Sequence, residues 1–155
     1  IMGDAIATNK KAFRDYFLTD KWEAGIALKG SEVKSVRAGG VNFKASFARA
    51  DHGEIFLYSL YIEPYAQVGM EGPEPERPRK LLLRKNEIKK IEGKVAQRNL
   101  TLVPTRIYFN NRGMVKVEIA LGKGKKLYDK RETIKKRKLD RDITRAVRQH
   151  TKGKT

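Results

Sequence analysis

Lysine and arginine are the most abundant side chains with chemical function in this 155-residue chain, which has 35 of them. Residues 122–133, GKGKKLYDKRET, place five of them around two glycines. Charged side chains of this density do not form a core, so the segment is a phosphate-binding loop, a solvated tail or a probe for a polyanion. A Walker loop is excluded, because one residue rather than four separates Gly122 from the Gly124-Lys125 pair and Lys126 replaces its Ser or Thr.

No other pattern in the sequence predicts catalysis. The two histidines are His52, in a turn signal, and His150, near the end of the chain; exposed histidine is the more frequent interpretation of each. The chain has no cysteine, which excludes thiolate metal sites and disulfides, and it lacks an HExxH motif or an Asp-rich metal loop. We therefore expect no enzyme activity, no catalytic residues, no metal and no cofactor.

The charge points to a polyanionic partner. The net charge is +17 at pH 7 and the sequence pI is about 10.1. Self-repulsion of this size indicates a polyanion that neutralises it, with nucleic acid the leading class and an anionic membrane surface the second. No apolar run approaches the ~20 residues of a membrane span, and residues 1–11 lack a signal-peptide core. We expect a cytoplasmic protein.

Charge also divides the chain. Residues 123–155 hold 14 Lys or Arg and 4 Asp or Glu, a net +10, whereas residues 1–122 carry +7. Apolar residues become scarce at the same point. We therefore expect a globular body over residues 1–122 and a basic tail over residues 123–155.

The pattern of the body predicts mainly β-strands. Residues 22–28 and 115–121 alternate apolar and polar side chains with the period of a half-buried strand. Residues 101–109 are rich in β-branched and aromatic side chains, and the turn signal Asn-Asn-Arg-Gly follows at 110–113. Residues 101–109 and 115–121 should therefore form an antiparallel hairpin.

A second hairpin is predicted around residues 51–53, Asp-His-Gly. It joins a strand within 42–50 to one at 54–62, EIFLYSLYI, whose apolar residues on both faces indicate a central strand. Residues 64–80 contain four prolines, two glycines and no periodicity, which predicts a loop. We assign no function to residues 67–75.

Two helices are predicted on the body. Residues 31–37 can use Ser31 as N-cap and Gly39-Gly40 as a stop signal, and residues 84–97 carry one apolar stripe. The stripe consists of Ile88, Ile91 and Val95. The fold class is therefore mainly β: a small antiparallel OB-like barrel with two or three helices and a basic C-terminal tail. Such barrels often bind oligonucleotides on one face.

The tail has a helical pattern of its own. Asp129 and Glu132 have the spacing of a capping box, and apolar residues follow at four-residue steps. These are Leu139, Ile143 and Val147. A solvated or disordered tail and a segment that orders on RNA both remain open. A membrane-surface helix is a weaker rival, because the stripe contains no Trp or Phe.

Short motifs between residues 9 and 138 occur in the order found in one known family. They are NKKA (9–12), DYF (15–17), EAG (23–25), GSEVKS (30–35), RAG (37–39), SF (46–47), PY (64–65), RKLLL (79–83), LVP (102–104), KVE (116–118) and GKGKKLYDKRETIK from residue 122. Single pieces are weak signals, but their order is specific. By these motifs the chain resembles the SmpB family of SsrA-binding proteins, the bacterial partners of transfer-messenger RNA.

The resemblance implies an OB-like barrel that binds the tRNA-like domain of transfer-messenger RNA, near its D-loop and elbow. Elongation factor Tu would belong to the same complex, through an indirect contact, and the complex would enter the A site of a stalled ribosome. The tail, disordered in the free protein, would fold as a helix in the decoding centre. This is trans-translation, ribosome rescue with peptide tagging, and the protein, expected to be a monomer, would do no covalent chemistry in it.

Candidate RNA contacts in the body come from the family resemblance and from the residue types themselves. The resemblance assigns Asn9, Glu23, Leu82 and Arg84, although some members have asparagine in place of Arg84. From the residues themselves, Glu23 lies on the strand face opposite Trp22, where a carboxylate can accept from base amino groups. The cations expected to contact phosphate are Lys10, Lys11, Lys34, Arg37, Arg79 and Lys80. Tyr16 is either a base-stacking ring or a core residue.

Further RNA contacts are expected in the tail. The resemblance places Tyr128, Asp129, Lys130 and Arg131 in the decoding centre, and many members have histidine where this chain has Tyr128. Either ring can stack on a ribosomal base. The lysines expected to draw the segment toward ribosomal RNA are Lys123, Lys125 and Lys126.

Two other classes fit a small basic protein. A ribosomal structural protein would co-purify with ribosomes in stoichiometric amounts. An RNA-modifying enzyme on an OB-like scaffold would turn over RNA substrates, but no cluster of residues supports one.

Overall fold

A computed structural model describes residues 5–65 and 72–125 of the chain. The chain divides into two units, Ile1–Lys123 and Gly124–Thr155, and nearly all the described residues belong to the first. Its elements, in chain order, are β1 Ala5–Thr8, α1 Lys10–Asp15, β2 Tyr16–Ile26, α2 Gly30–Arg37, β3 Val41–Asn42, β4 Phe47–Asp51, β5 Glu54–Tyr58, β6 Tyr61–Ile62, β7 Arg79–Leu82, α3 Lys85–Arg98, β8 Thr101–Phe109 and β9 Val115–Gly124.

The main sheet closes on itself. Its strand order is β1-β8-β4-β5-β7-β2-β9, and β8 also pairs with β9, so six of the described strands form a ring and β1 lies outside it on β8. The strand pairs with a described register are antiparallel, and β3 and β6 form a separate two-stranded sheet. The predicted antiparallel, barrel-like fold is confirmed.

Alternation along the strands fills the ring with apolar side chains. In β5, Ile55 and Leu57 are fully buried between partly exposed neighbours, and β5 pairs with β4 and β7, which confirms a central strand. The predicted β8–β9 hairpin is also confirmed, with Gly113 at φ +75° in its turn. Helix α3 closes over the core through Ile88 and Ile91.

Three local predictions are wrong. The strand predicted over 54–62 breaks after Tyr58, because Ser59 adopts φ +63° and β6 pairs with β3 instead. The helix predicted over 31–37 is present as α2, but the predicted N-cap, Ser31, is wrong. The helix begins at Gly30 with Lys29 as N-cap, where the Lys29 N–H donates to Glu32 at 2.9 Å. The end of the predicted loop, from Arg79, is strand β7.

Helix α1 was not predicted, since its six residues are too short for a periodic signal. It is fixed instead by Asn9, whose Oδ1 accepts from the Ala12 N–H at 3.2 Å as an N-cap does. The Asn9 side-chain amide also donates to the Pro104 carbonyl at 2.8 Å, which ties α1 to β8.

Candidate nucleic-acid interface

An open groove of about 700 Å³ lies where β2, β7 and β9 meet the start of α3. Its walls include four residues predicted to contact RNA and two cations that were not predicted. The predicted residues are Glu23, Lys80, Leu82 and Arg84, and the others are Lys85 and Lys116. The fold therefore gathers on one surface side chains from elements that are far apart in the sequence.

Gly25 makes room for the apolar part of this groove. It is the strand partner of Leu82, and a Cβ at position 25 would stand 3.1 Å from the Leu82 Cβ. Leu82 is 51% exposed and lies beside the charged groups of the groove. The absent side chain at position 25 thus allows Leu82 to occupy the groove.

We expect Gly25→Ala to lower the free energy of unfolding by about 1 to 3 kcal/mol, the range for overpacking, because the Leu82 side chain must move. Gly30→Ala is the matched control, since nothing lies within 4 Å of a Cβ there and alanine favours the first turn of α2. Urea unfolding followed by circular dichroism measures both. Equal effects of the two substitutions would contradict the close packing of Gly25 on Leu82.

Glu23 supplies an oriented acceptor. It is exposed on β2, as the alternation predicted, and it accepts a short hydrogen bond from the hydroxyl of Tyr108 on β8. Burial raises the pKa of Tyr108 strongly, and the hydrogen bond to Glu23 raises it further, so the phenol stays a proton donor at physiological pH. One carboxylate oxygen is thereby held in place while the other remains able to accept from a ligand.

Both cations and further carboxylates share the groove with Glu23. The cations are Lys80, Arg84, Lys85 and Lys116, and the carboxylates are Glu54 and Glu87. Lys80 lies 2.8 Å from Glu54 across the sheet, and both side chains are nearly half exposed, so this pair adds little stability. Arg84 is the exposed N-cap of α3, and Lys116 is half-buried. No ion pair of Arg84 or Lys116 is found within the described part of the chain, and their charge is available to an anion.

The other predicted body residues lie outside the groove. Lys10 and Lys11 are exposed on α1, whereas Asn9 is buried in its capping role. Tyr16 is half-buried and packs over Gly122, where a Cβ would come within 2.9 Å of its ring. Lys10, Lys11 and Tyr16 thus belong to a region around α1 and the start of β2.

Lys34 and Arg37 form a further group on α2. Both are exposed, and they are spaced to share one face of the helix. Each cation rests over an aromatic ring, Lys34 at 5.4 Å from Tyr65 and Arg37 at 5.4 Å from Phe109. Such contacts leave a cation able to bind phosphate as well.

Arg79 does not fit the predicted phosphate contact. It is fully buried, because its guanidinium donates to Glu32 Oε2 at 2.8 Å and to the Leu60 and Pro75 carbonyls at 2.6 and 2.9 Å. No surface of the side chain is left for a phosphate. The prediction of Arg79 as an RNA contact is wrong, and the residue instead fixes the start of β7 against α2.

Of the predicted tail residues, Lys123 is exposed and Lys125 is half-buried. The remaining ones, Lys126, Tyr128, Asp129, Lys130 and Arg131, lie outside the described residues. Across residues 5–65 and 72–125, no group of three or more metal-ligating side chains is present. No helix within the same ranges is long and apolar enough to cross a membrane.

Comparison with known proteins identifies the family. The family model described as SmpB protein matches residues 6–149. The chain is 57% identical to an SsrA-binding protein of Thermosipho melanesiensis, with 96% of this chain and 98% of the relative covered. It is 50% identical to an SsrA-binding protein of Geobacter sulfurreducens, with 96% of each covered. The chain belongs to the SmpB family.

A solved structure gives the same result at the level of the fold. The chain matches one from a structure described as "tmRNA-SmpB: a journey to the center of the bacterial ribosome", with a TM-score of 0.65 and 52% identity over 76% of this chain and 82% of that one. In this SmpB-family chain, two of the motifs behind the predicted resemblance, EAG and RKLLL, are strand partners through Gly25 and Leu82.

The groove also contains two cations that the sequence analysis missed, Lys85 and Lys116. Lys116 belongs to the KVE motif of the SmpB family, yet it was counted only as a polar position of a half-buried strand. Its alternation with Val115 and Val117 was the available signal, because it places the lysine on the outer face. Which strand lies beside it could not be read from that alternation.

Proposed function

We propose that this protein binds the tRNA-like domain of transfer-messenger RNA and places it in the A site of stalled ribosomes for trans-translation. The supporting observation is the groove, in which Glu23, Leu82 and Arg84 meet in a chain of the SmpB family. The SsrA-binding relatives and the tmRNA-SmpB structure indicate the same RNA and the ribosome.

The chemistry of the groove suits an irregular RNA surface. Arg84 and Lys116 can neutralise backbone phosphates, which supplies affinity without sequence preference. Glu23 repels a misplaced phosphate and can accept from an exposed amino group of cytosine or guanine. Leu82 offers an apolar contact to a base or sugar. Together they favour a folded RNA whose bases are accessible beside its backbone, as in a tRNA elbow.

The protein's role in this proposal is that of a binding factor. It acts without covalent chemistry, as a cytoplasmic monomer, and elongation factor Tu joins the complex through the RNA. Support comes from the groove itself, whose charged side chains are four cations and three carboxylates. One of these carboxylates, Glu23, is held by Tyr108, an arrangement suited to recognition.

We expect Glu23→Arg to weaken binding of transfer-messenger RNA by about tenfold or more, since a base-edge hydrogen bond is worth ~1–3 kcal/mol and Tyr108 loses its acceptor. A gel shift at one moderate salt concentration measures this; low salt would let the added charge mask the loss. Glu74→Arg changes the same charge at an exposed position outside the groove and should bind at least as well as the unmodified protein. Unchanged binding by Glu23→Arg would exclude the groove as the interface.

The RNA itself can be identified directly. The full chain would be used to capture RNA from a bacterial lysate, and the bound RNA would be sequenced. Strong enrichment of transfer-messenger RNA is expected. Stoichiometric recovery of ribosomes without it would favour a ribosomal structural protein instead.

A further inference from the structure

The outer face of β4 and β5 carries a cluster of aromatic rings. Phe47 and Tyr58 are strand partners whose rings stack at 5.3 Å with an interplanar angle of 18°. Phe56 lies on the same face, because Ile55 and Leu57 point into the core. Phe47 is 36% exposed, so part of its ring is open to solvent.

A cation accompanies these rings. Arg49 is exposed, pairs with Phe56 across the strands, and places its guanidinium 5.1 Å from the Tyr58 ring centre. Among residues 5–65 and 72–125, no carboxylate forms an ion pair with Arg49. An aromatic surface with an arginine of unmatched charge is complementary to a nucleotide, which combines a flat base with an anionic phosphate.

This face continues into the groove. Phe56 is the strand partner of Lys80, and Lys80 lines the groove with Leu82. Across the outer surface of the sheet, the order is therefore Phe47 on β4, Phe56 and Tyr58 on β5, Lys80 on β7 and then the groove. Neighbouring strands are separated by ~4.8 Å, so an RNA strand held in the groove can reach Phe47 within two or three nucleotides.

We propose that this aromatic face, formed by Phe47, Arg49, Phe56 and Tyr58, binds an unstacked nucleotide of the RNA held in the groove. Phe47 stacks on the base, and Arg49 contacts the adjoining phosphate. The inference rests on the proposed function, since the nucleotide belongs to the same RNA. It extends the interface from β2, β7 and β9 across to β4.

The test compares binding of a tRNA-like-domain transcript by the full chain and three variants at one moderate salt concentration. Phe47→Leu keeps apolar packing on Tyr58 but removes the aromatic ring; loss of stacking is worth ~1–3 kcal/mol, so binding should weaken by about fivefold or more. Phe47→Trp should bind as tightly as the unmodified protein or tighter. If Phe47→Leu binds normally while Glu23→Arg does not, this inference is overturned and the proposed function stands. If Glu23→Arg also binds normally, both this inference and the proposed RNA-binding role of the groove are wrong.

A second readout does not depend on how well Phe47→Leu folds. Trp22 is the single tryptophan of the chain, so the additional emission of Phe47→Trp reports on position 47. Stacking on a base should quench this added fluorescence when the transcript is bound. Quenching no larger than that of the unmodified protein would show that no base stacks there.

Discussion

Glu32→Gln should lower the free energy of unfolding by about 3 to 5 kcal/mol, the cost of leaving a buried charge without its partner. Glu32 and Arg79 are 3% and 0% exposed, and the Glu32 carboxylate also accepts from Arg77 and from the Lys29 N–H. The amide would keep the shape of the side chain, but it would leave the Arg79 guanidinium in the core with no counter-charge.

Glu54→Gln is the matched control for this prediction. It breaks the Lys80–Glu54 pair, whose side chains are 43% and 47% exposed, and exposed pairs contribute ~1 kcal/mol or less. Urea unfolding followed by circular dichroism gives both values. A loss below ~1 kcal/mol for Glu32→Gln would show that water or another group can replace the carboxylate beside Arg79.

The pKa of Glu32 also determines the direction in which the free energy of unfolding changes with pH. Burial alone would raise the pKa of Glu32, but the hydrogen bonds from Arg77, Lys29 and Arg79 outweigh it and hold the pKa below its usual range. A carboxyl whose folded pKa is depressed stabilises the fold fully above its unfolded pKa of ~4.3, and this stabilisation is lost as pH falls through the folded pKa. Stability of the unmodified protein should therefore fall more steeply below about pH 4.3 than that of Glu32→Gln.

The burial of Arg79 could not be predicted from the sequence. A lysine or arginine is usually exposed, and the basic RKLLL segment was therefore taken as a phosphate contact. The partner that allows burial, Glu32, lies 47 residues earlier in the chain. No local pattern reports such a pair. The same limit applies to β7, a four-residue strand that follows a proline-rich segment.

Features set by neighbouring residues were predicted well. The β8–β9 hairpin followed from alternation and the turn at 110–113, and the buried stripe of α3 followed from its spacing. Glu23 was placed on the outer face by the same alternation. What alternation could not supply is strand order, which brings Glu23 beside Leu82 and Lys116. The family resemblance assigned RNA contacts to Glu23 and Leu82, and the closed sheet explains why these residues lie on one surface.

The proposed function predicts that body and tail are separable. Cutting the chain after Lys126 should leave binding of transfer-messenger RNA nearly intact, because the groove residues lie between positions 23 and 116. Tagging of proteins on stalled ribosomes should be abolished, since the removed segment contains Tyr128, Asp129, Lys130 and Arg131. Gel shifts and a reconstituted tagging assay measure the two activities, and Glu23→Arg should fail earlier, at RNA binding.

Charge alone must be distinguished from the identity of the tail residues. The cut removes 11 Lys or Arg and 4 Asp or Glu, a net +7 of the +17, and loss of that much charge weakens any attraction to ribosomal RNA. The control is a full-length chain whose residues 127–155 keep their composition in scrambled order. We expect it to bind ribosomes but not to tag, because the ring at Tyr128, the cap at Asp129 and the apolar spacing of the predicted helix are lost. Normal tagging by the scrambled chain would show that the tail contributes only its charge. Normal tagging by the truncated chain would show that residues 127–155 are not needed for tagging.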